Sequence, residues 1–142
     1  LTSSLKRVPA IDKILVKIGL SKNSHGYIGS ISDALFEKSV VTTIKEIVNL
    51  RQMLPPDVPF VVLVAASRFE IRDDDPYYRK LRLAILANLD KRGISYVDTL
   101  VPFKEAGFES THYAHDGHWS SLGHKIAATA LSNWFKTLVP TP

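Results

Sequence analysis

The chain contains no cysteine, which excludes disulfides, thiolate nucleophiles and metal centres built on thiolate ligands. This does not choose between reducing and oxidising compartments, because proteins of either kind can lack cysteine. Long apolar runs are missing too. The longest, residues 60–66, is far too short to cross a bilayer as a helix, and residues 1–13 do not read as a basic stretch followed by an apolar signal core. Neither sign of charge dominates, since 18 basic against 14 acidic residues leave a formal net charge of +4. The basic residues are scattered, with Lys6-Arg7, Arg79-Lys80 and Lys91-Arg92 as isolated pairs. There is no basic stripe interleaved with aromatics and no phosphate-binding glycine loop, so no nucleic acid partner is expected.

What is present suits one globular domain over residues 1–142: 45% of the residues are hydrophobic and 23% charged, enough apolar material for a single core. Residues 9–19 place Ile11, Ile14, Leu15 and Ile18 on one helical face before Gly19, and predict a short helix. Residues 21–32 are rich in Ser, Gly and Asn and read as a loop. From Leu35 to Leu54 the spacing of Val40, Val41, Ile44, Ile47 and Val48 predicts a long amphipathic helix ended by Pro55-Pro56. The run from Pro59 to Ala65 is apolar and rich in β-branched residues, as in a parallel strand covered on both faces. Its carboxyl end delivers Ser67 and Arg68. Asp75-Pro76 supplies an N-cap and a first-turn proline for a helix over 76–92, with Tyr78, Leu81, Ile85 and Leu89 inward and Gly93 as its stop. Ile94 to Val97 is then a second short strand, and strand, helix, strand makes a βαβ unit. Residues 100–119 read as a loop. Ser120 or Ser121 caps a last helix whose buried stripe is Ala127, Ala130, Leu131, Trp134 and Leu138, with Gly123 near its start allowing a close backbone approach.

The residues that carry chemistry concentrate in that loop. The run from His112 to His124 holds four of the five histidines, together with Asp116 and Trp119. An imidazole changes charge near neutral pH, and a carboxylate two residues away can fix its tautomer and stabilise its protonated form. Asp116 and His118 therefore read as an orienting carboxylate and a general base. Open α/β sheets bind ligands beyond the carboxyl ends of their strands, which is where this loop and Ser67-Arg68 would meet. A second reading makes His112, His115, Asp116 and His118 the ligands of a metal-dependent hydrolase, although no standard ligand spacing is present. A third is a non-catalytic binding module.

The stretch Asp116-Gly-His118-Trp-Ser-Ser-Leu-Gly123-His124-Lys-Ile-Ala-Ala resembles the last sequence block of the SGNH/GDSL hydrolase superfamily. Its Asp-x-His-Trp spacing is similar to that of the alginate-type polysaccharide O-acetyltransferases. The resemblance implies a flavodoxin-like three-layer α/β sandwich with a parallel sheet, of which this chain would supply the carboxyl-terminal half. It also implies a serine esterase or acyl transferase acting on O-acyl groups of carbohydrates or small esters, without a cofactor or metal. In that role His118 deprotonates a serine and Asp116 holds the other ring nitrogen, while Trp119, His115, Ser67 and Arg68 are candidates for the substrate pocket. Related enzymes often work outside the cytoplasm. The superfamily's Gly-Asp-Ser block is missing, and neither Gly26 to Ser30 nor Ser67 replaces it. The expectation is that the nucleophile lies before Leu1 in a longer chain, and that residues 58–64 pair in parallel with a strand from outside this segment or from another copy.

Overall fold

A computed structural model describes residues 32–114 and 117–138. The helix expected over 9–19, and the loop over 21–32 except for Ser32, lie outside them. The first described helix, α1 (Asp33–Gln52), starts where Ser32 accepts the Leu35 amide at 3.3 Å. Phe36, Val40 and Ile44 are its buried residues, recurring every fourth position. Val41, expected with them, is exposed. One residue turns a helix by about 100°, which carries Val41 off the buried face. Past the helix end, the Arg51 guanidinium donates to the carbonyls of Pro55 and Pro56 at 3.1 and 2.9 Å.

Strand β1 (Val61–Val64) pairs in parallel with β2 (Ser95–Asp98), with Val61 opposite Ser95 and Val64 opposite Asp98. The connection carries a short helix α2 (Arg68–Asp73) and the long helix α3 (Pro76–Asp90). Asp75 caps α3 as its position predicts, accepting the amides of Tyr77 and Tyr78 at 3.0 and 3.4 Å. The helix closes at Asp90 rather than Arg92. Gly93 adopts φ +62°, so the chain turns back and the Ile94 amide reaches the Leu89 carbonyl at 3.1 Å. Leu89 is the residue of α3 that is fully buried.

The segment expected as a continuous loop, 100–119, contains two further helices, α4 (Leu100–Ala106) and α5 (Phe108–Thr111). The Asp98 carboxylate accepts the Leu100 amide at 3.1 Å and so starts α4. Gly107, at φ +82°, separates it from α5. Pro102, Gly107 and the short span of each helix hid this, because neither helix is long enough to show a helical apolar period. The last helix, α6 (Ser121–Lys136), begins at Ser120, whose hydroxyl accepts the Gly123 amide at 3.3 Å.

The fold is therefore mixed α/β and mostly helical, with a small two-stranded parallel sheet among the described residues. β1 is half-buried at all four positions rather than covered on both faces, since β2 is its sheet partner among them. Helix α1 packs on α3, and α3 and α6 both touch β2. The core beside the sheet comprises Ala66, Ile71, Phe103 and Ala127, with Leu63, Leu100, Phe108, Trp119 and Ile126 packed against them. Phe103 is fully buried, which for an aromatic of its size is worth about 1.5–3 kcal/mol. Of the stripe expected on α6, Ala127 is buried, Ala130, Leu131 and Trp134 are half-buried, and Leu138 is exposed. The buried contacts of α6 are confined to its first two turns, where Gly123 and Ala127 face the core.

Two polar arrangements lock the carboxyl ends of the strands. The Thr99 amide donates to the Val64 carbonyl at 3.2 Å, and the Thr99 hydroxyl oxygen accepts the Ala66 amide at 3.0 Å, so the chain leaving β1 is fastened to the chain leaving β2. Next to this latch, Arg82 of α3 bridges two carboxylates. Its Nε and Nη2 donate to Glu70 of α2 at 3.0–3.1 Å, and its Nη1 donates to Asp98 of β2 at 2.6 Å. The Glu70 side chain is 1% exposed and that of Arg82 is 11% exposed. Removing one member of such a buried pair leaves an uncompensated charge, at roughly 3–5 kcal/mol. Arg82→Ala should therefore lower the unfolding free energy in urea by about that much. The double variant Glu70→Leu, Arg82→Met should recover most of the loss.

Candidate active site

Between α5 and α6, residues 112–114 and 117–119 lie side by side. His112 and Trp119 make an antiparallel bridge, in which the Tyr113 amide donates to the His118 carbonyl and the Ser120 amide to the Thr111 carbonyl, both at 2.8 Å. Inside it the Gly117 amide donates to the Tyr113 carbonyl at 2.9 Å. The Ser120 hydroxyl donates to the Ser110 carbonyl at 2.6 Å while capping α6, which ties the far end of the loop to α5. Gly123 allows this closeness. A methyl added there would overlap the Thr111 carbonyl oxygen and lie 3.1 Å from Trp119 Cβ and 3.4 Å from Phe103 Cε1. The close approach expected of Gly123 is thus between the first turn of α6 and the end of α5.

Within this loop His118 is exposed and its ring is not sealed in the interior. Asp116 and His115 lie outside the described residues. Gly117, between Asp116 and His118, adopts φ +72°, a conformation that suits glycine. The space its missing side chain would fill is taken by Arg68. A methyl at Gly117 would overlap Arg68 Nη1 and lie 2.6 Å from Cδ and 2.8 Å from Cζ. Arg68 follows the end of β1 by four residues. The contact therefore places the loop beyond the carboxyl end of that strand.

The other candidates divide between this site and packing. Ser67 is the N-cap of α2, its hydroxyl accepting the Phe69 amide at 3.3 Å. Trp119 packs into the core with its ring 5.1 Å from Phe103, and His124 meets it edge-on at 5.5 Å. His112 is 4% exposed, stacked on Phe108 at 4.8 Å and edge-on to Phe103 at 5.7 Å. Its Nδ1 lies 3.0 Å from the Thr111 hydroxyl, whose own hydrogen goes to the Gly107 carbonyl at 2.8 Å. Among the described residues no group of three potential metal ligands converges. His112, one member of the cluster considered for a metal, serves here as an aromatic packing unit under the loop.

Thr111, Phe103 and the Arg68 contact with Gly117 are supports that the sequence reading did not identify. Arg68 stands after a strand, but nothing in the spacing of 68 and 117 announces their contact. Comparison with family models, with curated proteins and with solved structures gave no match for this chain.

Burial holds the protonation of His112 below the usual histidine range, and the neighbouring Arg68 cation adds to this, while a hydrogen bond with the Phe108 backbone opposes it. The folded state therefore favours the neutral ring. In the unfolded chain the ring takes up a proton near the ordinary value of about 6.5. Stability from this group is thus fully present above that pH and declines as the pH falls below it toward the folded value. Urea unfolding followed from pH 7.5 to pH 5 should show a loss of stability on acidification that is smaller in His112→Gln.

Proposed function

We propose that this protein is a serine-dependent ester hydrolase or acyl transferase of SGNH type, acting on O-acyl groups, chiefly O-acetyl, of carbohydrates or small esters. The observation that carries the reading is the position of the backbone at Gly117 and His118. It stands beyond the carboxyl end of β1, held by the Gly117 contact with Arg68, with His118 open to solvent. That is where an open α/β sheet binds its ligands. Under this reading the two described strands belong to a larger flavodoxin-like sheet whose other strands, and whose nucleophilic serine, come from outside the described residues.

The chemistry then follows from the roles of the two groups. His118 takes the proton of the serine hydroxyl as its oxygen attacks the acyl carbonyl, forming a carbon–oxygen bond and a tetrahedral oxyanion. Collapse of that intermediate breaks the bond to the leaving alcohol, and the imidazolium returns the proton to the departing oxygen. Water or a second hydroxyl repeats the sequence on the acyl-enzyme. Asp116 keeps the imidazole in the tautomer whose free nitrogen faces the serine, and stabilises the imidazolium. Trp119, packed on Phe103, and Arg68, against Gly117, support the turn rather than contact the acyl group.

A fluorophosphonate probe applied to the full-length protein tests this, with the adduct mapped by peptide mass. One serine should be labelled, and His118→Ala should reduce both labelling and hydrolysis of p-nitrophenyl acetate by about 100- to 10,000-fold. A protein that is not labelled, or whose labelling is indifferent to His118→Ala, is not such an enzyme.

A further inference from the structure

We infer that Arg68 is the positioning residue of the backbone at Gly117 and His118, its guanidinium standing in the space that a side chain at position 117 would occupy. For its catalytic consequence the inference rests on the proposed roles of Asp116 and His118. Its structural content is independent of them.

Geometry carries the argument. Gly117 is the residue between the two proposed catalytic groups, and its positive φ turns its open side toward Arg68 Cδ, Cζ and Nη1. The guanidinium is itself held. Its carbon lies 4.8 Å from the centroid of the Phe69 ring, and the side chain is half-buried. A planar, weakly hydrated cation stacked on an aromatic face is restricted in a way that a lysine ammonium is not. Ser67 and Phe69 are set in turn by the first turn of α2, where the Ser67 hydroxyl accepts the Phe69 amide. The chain of support therefore runs from the end of β1 through α2 and Arg68 to the backbone of Gly117. The cation also stands close enough to His112 to disfavour its protonation, which agrees with a location under the loop rather than out in solvent.

Among the described residues three backbone hydrogen bonds tie this segment: Tyr113 to His118 and Ser120 to Thr111 at its base, and Gly117 to Tyr113 inside it. Arg68 adds a side-chain contact that holds Gly117 from outside the segment. A displacement of about 1 Å in a catalytic group can reduce turnover by about 100-fold. Arg68 would thus act on kcat through His118 without contacting the reacting atoms.

The test uses the full-length protein and the variants Arg68→Ala and Arg68→Lys. Amide hydrogen exchange is read at Tyr113 and Gly117, whose hydrogen bonds lie inside the loop, and at Ala66, whose amide is fastened to Thr99 and serves as the control for the fold. In Arg68→Ala the two loop amides should exchange about tenfold faster or more while Ala66 is unchanged. Turnover of p-nitrophenyl acetate should fall by about 100-fold in kcat with KM nearly constant. Arg68→Lys should lie between the two in both readouts, and it decides the matter alone if Arg68→Ala also loses protection at Ala66. Exchange at Tyr113 and Gly117 that matches wild type in both variants overturns the inference, as does a loss confined to KM. A wild-type protein that is not labelled by a fluorophosphonate defeats the hydrolase reading instead. The exchange measurement then still decides whether Arg68 holds the turn.

Discussion

Backbone hydrogen bonds across the His112–Trp119 bridge join the end of α5 to the start of α6, and they fix where His118 stands. The bridge can form only because Gly123 lets the first turn of α6 press against the Thr111 carbonyl, and because Phe103 fills the space beneath. Phe103 meets His112 on one side and Trp119 on the other, at ring separations of 5.7 and 5.1 Å. Aromatic pairs of this kind add about 0.5–1.5 kcal/mol beyond the area they bury. The same ring therefore anchors both strands of the bridge. A histidine-rich segment is built on an apolar, aromatic floor.

The sheet end is organised by a second, polar system. Asp98 serves two partners at once, one oxygen receiving Arg82 and the other the Leu100 amide that begins α4. Arg82 in turn neutralises Glu70, the buried carboxylate of α2. Because α2 also carries Arg68, the ion network that fixes α2 relative to β2 indirectly fixes the residue that touches Gly117. Burying these charges contributes little net stability on its own, since desolvation offsets much of the attraction. What it supplies is a defined link between α2, α3 and β2 at the strand ends.

The elements with strong local signals were legible in the sequence. Asp75-Pro76 marks the start of α3, the β-branched run marks β1, and Ser120 marks the cap of α6, because each is decided by neighbours along the chain. α4 and α5 were hidden in what reads as loop, since their stability comes from Phe103 and Leu100 packing into a core assembled by distant residues. The βαβ order was readable, but the extent of the sheet was not: pairing partners are a long-range property, and β1 is half-buried as described. At the candidate site the pattern of histidines singled out His118 beside Asp116, yet it did not show that His112 packs in the core while His118 is exposed. That division depends on α5, whose last turn carries Thr111 and turns His112 inward. The glycine at 117 was legible only as part of a motif. Its contact with a side chain 49 positions earlier in the chain, Arg68, required the fold.

The proposed reading requires that His118 present an unprotonated Nε2 outward while Nδ1 keeps its hydrogen on the Asp116 carboxylate. Long-range proton–nitrogen correlation of the imidazole signals at neutral pH, in the wild type and in Asp116→Asn, measures this directly. The account predicts an Nδ1–H tautomer for His118 that is lost or mixed in Asp116→Asn, as expected when the orienting carboxylate is removed. An Nε2–H tautomer in the wild type, or a His118 signal that does not respond to Asp116→Asn, would contradict it.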